Sequence, residues 1–245
     1  MYLSNIIKRT SLCLLVGIFV FTSCYKESDY LYSADEIFEN LCIEISKDRI
    51  LADGKSSSVI TYRIPENADT TLTRLLLAAT NGTFLESGDT MLVTNFSKLD
   101  LSKTHRLVET TLIASTKPSI SIISSSLLNY TRKDTIVFQI AFPDSISLIS
   151  VPYYIKNNDI KEINIIATVL TDTGIASKGR LILYSVSPPA GFLQSQYSLS
   201  DAFGKSIVQY VFTDTSFVGN ITFMAKTINA SGDTLESTCL LRVID

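Results

Sequence analysis

Tryptophan is missing from this chain, and histidine occurs once, at position 105. Without Trp, a flat platform for sugars has to come from tyrosines, and Tyr153, Tyr154, Tyr184 and Tyr197 are the candidates. Any Ser-His-Asp or Cys-His arrangement has to use His105, which sits in Lys103-Thr104-His105-Arg106 with no nucleophile motif beside it. Zinc sites need clustered Cys and His, and the sequence has no such cluster. No glycine-rich phosphate loop is present. These absences point to a non-catalytic protein without cofactor or metal. Positive charge is also in deficit: the formal net charge is −3, which argues against nucleic acid, whose phosphates call for a clustered basic surface. Long apolar runs are lacking too. The run from Leu12 to Phe21 falls short of the roughly 20 residues a spanning helix needs.

Cysteine is scarce in a way that matters. Of the 4 in the chain, Cys13 and Cys24 belong to the first twenty-four residues, which leaves Cys42 and Cys239 near opposite ends of the remainder. A disulfide between them would need their Cα atoms within roughly 4.4–6.8 Å. An exported location permits one. Two separate domains would hold them far apart, so two free, packed thiols are expected.

What is present begins with an address. Lys8 and Arg9 precede the apolar run, and Thr22-Ser23 follow it, which together make a secretory signal. Phe21-Thr22-Ser23-Cys24 resembles a bacterial lipobox, which implies a signal peptide over 1–23 and a lipidated (palmitoylated) Cys24 that ties the protein to a membrane. The polar stretch Tyr25-Lys26-Glu27-Ser28-Asp29-Tyr30 is similar to the signals that send Bacteroidota-type lipoproteins to the outer face of the outer membrane. Residues 24–40 then form a lipidated tether. Within it, Ser33-Ala34-Asp35-Glu36 has capping-box spacing ahead of Ile37 and Phe38, enough for one short helical turn.

From residue 41 the apolar residues recur with period two, the mark of strands with one buried face. Leu41, Ile43 and Ile45 open the series, followed by Ile60, Tyr62 and Ile64, then Leu75 and Leu77. Val108 to Ala114, Ile120 and Ile122, and Ile136 to Phe142 complete a first half. Ile163 to Val169, Leu181 and Leu183, Val208 to Phe212, Ile221 to Ala225, and Cys239 to Val243 make a second. Turn residues fall between the runs, as at Asp53-Gly54, Asn81-Gly82, Pro188-Pro189 and Ser231-Gly232-Asp233. The expected class is all-β, with two tandem sandwiches over 41–148 and 149–245. Pro143 and Pro152 mark the linker, and each half has the size of an Ig-like sandwich.

Ile50-Leu51-Ala52-Asp53-Gly54-Lys55, with the alternating strand that follows it, resembles the opening of bacterial Ig-like domains of the invasin/intimin type. Asn81-Gly82-Thr83-Phe84 fits a later segment of that pattern. In the second half Gly191-Phe192-Leu193 and Asp201 to Val208 look like later segments, while Asn158-Asp159 stands where the turn is expected. The resemblance implies a surface-exposed adhesive or structural spacer module, with a host or bacterial surface protein or glycan as partner. A glycan-binding accessory lipoprotein of the outer membrane is the alternative, and depends on the tyrosines named above.

Two further patterns bear on an exported protein. Thr70, Thr90, Thr135, Ser145 and Thr234 each follow an aspartate and, in four of the five, precede an apolar residue. This is similar to the O-glycosylation acceptor of exported Bacteroidota-type proteins, and equally to ordinary turn composition. Asn157, Asn158, Asp159 and Glu162 offer oxygen ligands near the expected boundary, where calcium stiffens some tandem modules. A solvated turn explains them more simply.

Overall fold

The computed structural model describes residues 42–65, 73–96, 105–158 and 160–245, and every regular element among them is a strand. The first nine strands make one sandwich. One of its sheets has the order β1 (Cys42–Ile45), β3 (Ser57–Pro65), β7 (His105–Ile113) and β5 (Thr83–Phe84). The other runs β2 (Arg49–Leu51), β9 (Tyr130–Gln139), β8 (Ser119–Leu127), β4 (Arg74–Ala79) and β6 (Met91–Asn95). The next nine repeat the plan. β10 (Ser145–Val151), β12 (Lys161–Leu170), β16 (Lys205–Phe212) and β14 (Gly191–Leu193) face β11 (Tyr154–Lys156), β18 (Thr234–Ile244), β17 (Gly219–Ile228), β13 (Leu181–Ser187) and β15 (Tyr197–Leu199). Each strand of the first sandwich has its counterpart nine places later, down to the one parallel pairing in each, β2 with β9 and β11 with β18.

The change of sandwich falls between Gln139 and Ser145, so the expected division at 148/149 cuts through β10. Pro143 and Pro152 bracket a strand rather than a linker, because Ile146 and Leu148 pack on the second core.

Alternation places the cores. Ile60, Tyr62, Ile64, Leu75, Leu77, Phe84, Leu112, Ile136 and Phe138 close the first, and Ile163, Ile165, Val169, Tyr210, Phe212, Ile221, Phe223, Leu241 and Val243 close the second. Two runs adopt the opposite phase. On β8 Ile120 and Ile122 face outward, while Ser121, Ile123, Ser125 and Leu127 are buried. The inward serines are satisfied, Ser121 Oγ donating to Asn81 O at 2.6 Å and Ser125 Oγ sharing a 2.7 Å hydrogen bond with the Tyr62 hydroxyl. On β13 Leu181 and Leu183 face outward and Ile182 and Tyr184 go in, since the Tyr184 hydroxyl donates to Ser206 O at 3.0 Å. Ile140 and Phe142 leave the sheet altogether, because β9 ends at Gln139. Cys239 is a free, half-buried thiol whose pKa burial pushes up; the side chain of Cys42 lies outside the description.

The buried tyrosines yield a paired prediction. Tyr210 packs edge-on against Phe223, with ring centroids 4.9 Å apart, and its hydroxyl finds no partner among the described residues. Burial, with the charge of Asp214 adding to it, pushes its pKa up to about 12. An orphaned buried hydroxyl costs desolvation without return, so Tyr210→Phe should be neutral or stabilise by about 1 kcal/mol. Tyr62→Phe strands Ser125 and should cost about 1 kcal/mol. Urea unfolding of both variants checks the opposite signs, and equal losses would contradict the assignment.

Candidate functional site at the joint between the sandwiches

Ala52-Asp53-Gly54 follows β2, and Gly54 has the positive φ, +74°, that an Asp-Gly turn calls for. The aspartate side chain folds back on its own turn. Its Oδ1 accepts from Lys55 N at 2.9 Å and Ser56 N at 2.6 Å, and Oδ2 accepts from Ser56 Oγ at 2.7 Å. Such self-bonding is why Asp initiates turns. A surface turn, however, leaves its residues exposed, and here Ala52 and Asp53 are 0% exposed. The second sandwich covers them.

What covers them is the segment between β12 and β13. Thr173 Oγ1 donates to Asp53 Oδ2 at 2.6 Å and Ile175 N donates to Asp53 O at 3.0 Å. Gly174 lies so near that a Cβ there would sit 2.5 Å from Asp53 O. Ser177 ties three segments together: its Oγ donates to Ala52 O and accepts from Ala141 N, both at 2.8 Å, while its own N donates to Ala141 O at 2.9 Å. Lys178 N adds a bond to Thr116 O at 2.9 Å. The covering segment is itself stiff. Thr171 Oγ1 accepts from Gly174 N at 2.8 Å, Leu170 bridges to Ile175, and Asp172 N donates to Asp144 Oδ2 at 2.9 Å. The Asp-Gly turn is therefore one half of a bolted joint, and Thr173 to Lys178 is the other.

Burial alone pushes the Asp53 carboxyl up. The hydrogen bonds from Thr173, from the amides of Ser56 and Lys55 and from the Ser56 hydroxyl outweigh it, and hold the pKa below the usual 3.8. A carboxyl depressed by folding adds stability that is complete above its unfolded pKa and is lost as pH falls through its folded one. The joint should thus be unchanged from neutral pH down to about 4 and loosen only below that. Small-angle scattering across a pH series reads this directly. Loosening between pH 5 and 7 would assign the joint to other groups.

Chemically these groups hold one another, and no cluster of three or more potential metal ligands occurs among the described residues. His105 opens β7, its backbone paired with Pro65; its side chain lies outside the description. Asn157 and Asn158 lie just before β12 and the joint beyond its end, so the oxygen set sits a ten-residue strand, about 33 Å, from the joint, as the solvated-turn reading of these residues allows. Asn157 Nδ2 donates to Asp245 at 3.1 Å, and Asp159 lies outside the described residues. Of the tyrosines, Tyr184 is buried, while Tyr153 and Tyr154 meet each other edge-on, interplanar angle 66°. Tyr197 is on β15, at the opposite edge of the sheet from β11 and Tyr154. No shared sugar platform forms among them.

Cys24 and Thr70, with the signal, the tether and the capping box, lie outside the described residues. Thr90, Thr135, Ser145 and Thr234 are all exposed. Thr135, however, is inside β9 rather than in a turn, and Ser145 and Thr234 are first residues of their strands. Missed from sequence were Thr173, Gly174, Ser177, Thr116 and Ala141. The Thr171-Asp172-Thr173-Gly174 run has turn composition, the one signal available.

No protein-family model matches the chain, and no curated protein matches it in sequence. Solved structures do. Invasin, a bacterial integrin-binding protein, superposes with a TM-score of 0.52 at 13% identity, over 81% of this chain and 39% of that one. The Yersinia pseudotuberculosis adhesin InvE matches over 83% of this chain and 59% of its own at 18% identity, TM-score 0.45. The D0-D1 domain of intimin matches over 82% and 97% at 15% identity, TM-score 0.30. The chain thus spans less than two thirds of the InvE structure and well under half of the invasin one. The invasin superposition, together with the duplicated nine-strand plan, makes this an all-β chain of two tandem sandwiches with the Ig-like fold that invasin also has.

Proposed function

We propose that this chain is a lipid-anchored cell-surface protein, held to the outer membrane through Cys24, whose two Ig-like sandwiches act as a stiff, non-catalytic adhesive or spacer module. The observation that carries the reading is the joint. Four hydrogen bonds, from Thr173, Ile175, Ser177 and Lys178, and a glycine-tight contact connect the sandwiches, where a flexible linker would leave them free to swing. Stiffness is what a module needs to hold a binding surface away from a membrane. The exposed Thr90, Thr135, Ser145 and Thr234 are accessible to glycosylation of the kind expected of an exported protein. The partner is a protein of a host or bacterial surface.

The anchor is tested by fractionation. Cys24→Ala should move the protein from the membrane to the soluble fraction and abolish labelling with a fatty-acid analogue. Equal partitioning of variant and parent would remove the anchor. Protease shaving of intact cells distinguishes the outer face from the inner one.

A further inference from the structure

The outward phase of β13 leaves an apolar floor beside the joint. Leu181 and Leu183 are each 51% exposed, and Leu199 and Tyr197 stand directly opposite them on β15 at 58% and 64%. Ile228 of β17 extends the floor at 58% exposure, and Phe142, from the segment between the sandwiches, walls one side. The concavity lined by Phe142, Arg180, Leu181, Leu183 and Ile228 measures about 430 Å³, with Leu199 and Tyr197 outside it on the neighbouring strand. A monomer has no reason to keep so many large apolar side chains together in water unless they meet something.

Its charges are specific. Lys226 is already paired with Glu236. Arg180 holds its guanidinium 4.9 Å from the centre of the Phe142 ring, and its Nε is buried with no acceptor among the described residues. The two terminal amino groups of the same fork, held over the aromatic face and in no ion pair among the described residues, suit one carboxylate. The rest of the lining offers little to a sugar, since Thr227 Oγ1 already donates to Leu181 O at 2.9 Å.

We propose that this floor is a docking site for a partner protein, which it grips through an apolar side chain set next to an Asp or Glu carboxylate received by Arg180. The joint assembles it. Phe142 follows Ala141, which Ser177 holds, and Arg180 lies two residues beyond Lys178, which Thr116 holds. Wall and cation are in register only when the sandwiches are bolted together. The inference rests on the adhesive reading for its biological sense. Its test uses purified full-length chain in detergent, so the outcome does not depend on whether Cys24 carries the protein to the surface.

The probes are three end-blocked fluorescent peptides, Gly-Leu-Phe-Glu-Gly and its versions with Gln or Lys in place of Glu, titrated by polarisation. The Glu peptide should saturate at least tenfold tighter than the other two, on the order expected of one charge-assisted hydrogen bond. Arg180→Gln should erase that preference, Leu183→Ser should weaken all three peptides, and Gly174→Ala should weaken the Glu peptide. Both surface variants are to be checked for an unchanged melting temperature. Equal affinity for the three peptides, a preference that survives Arg180→Gln, or no saturation at millimolar peptide would overturn the proposal. So would saturable binding of acidic oligosaccharides with none of the peptides.

Discussion

Gly174→Ala is expected to part the two sandwiches while leaving each of them folded. The added methyl would lie 2.5 Å from the Asp53 carbonyl oxygen, inside an ordinary carbon–oxygen contact by most of an ångström. That oxygen is backbone, and it is also the acceptor for Ile175 N, so neither side retreats without lengthening the bonds from Ile175 and Thr173. Overpacking of this kind costs about 1–3 kcal/mol. The gain from a less flexible unfolded chain, about 0.4–1 kcal/mol, does not offset it. The whole cost falls on the joint, since Gly174 belongs to neither core. Small-angle scattering should change from that of a single arrangement of the two sandwiches to that of a broad distribution, with both sandwiches melting where they did before. A superimposable scattering curve would show that the contact does not govern the joint.

Asp53→Ala strikes both the joint and the first sandwich. It removes the acceptor for Lys55 N, Ser56 N, Ser56 Oγ and Thr173 Oγ1 together. Leaving such donors unmet inside the protein costs about 1–3 kcal/mol each where water cannot replace the partner. Solvent reaches the Lys55 amide, so a total of about 3 kcal/mol is expected, at the upper end for a point substitution. For a sandwich of this size that lowers the melting temperature by roughly 12 °C or more. Asp53→Asn keeps Oδ1 and should lose distinctly less. The pair of experiments separates two roles: Gly174→Ala opens the joint alone, whereas Asp53→Ala opens it and weakens the turn that supports β3. An Asp53→Ala protein as stable as the parent would mean that the turn is held by its backbone.

The strands of the cores were legible because their pattern is one-sided. Ile60, Tyr62 and Ile64 alternate with Thr61 and Arg63, and only one phase buries the apolar set. The pattern fails where apolar residues stand side by side. Ile122-Ile123 and Leu181-Ile182-Leu183-Tyr184 fit either phase, and the choice falls to polar partners elsewhere in the fold: Asn81 in the turn after β4 for Ser121, Tyr62 for Ser125, and Ser206 for Tyr184. The joint shows the same limit at longer range. Asp53 reads correctly as a turn former from its neighbours. Its second duty depends on Thr173, 120 residues away, and no local spacing encodes that contact. The docking floor was hidden for a related reason, since Leu181 and Leu183 read as core until Tyr184 is seen to take the inward place.

The strand order also decides how the first sandwich responds to being pulled. A load applied between Cys42 and the joint draws β1 away at its start and β9 away at its end, at opposite poles of the sandwich. β1 lies antiparallel along β3, and β9 is flanked on both sides, by β2 in parallel and β8 antiparallel. Neither terminal strand can peel one hydrogen bond at a time; each must slide, and its whole ladder has to fail together. Beyond β9, the same traction reaches Ala141, whose amide and carbonyl are both held by Ser177. Force therefore passes from one sandwich to the next through a bonded backbone rather than a slack one, and the molecule behaves under tension as a strap.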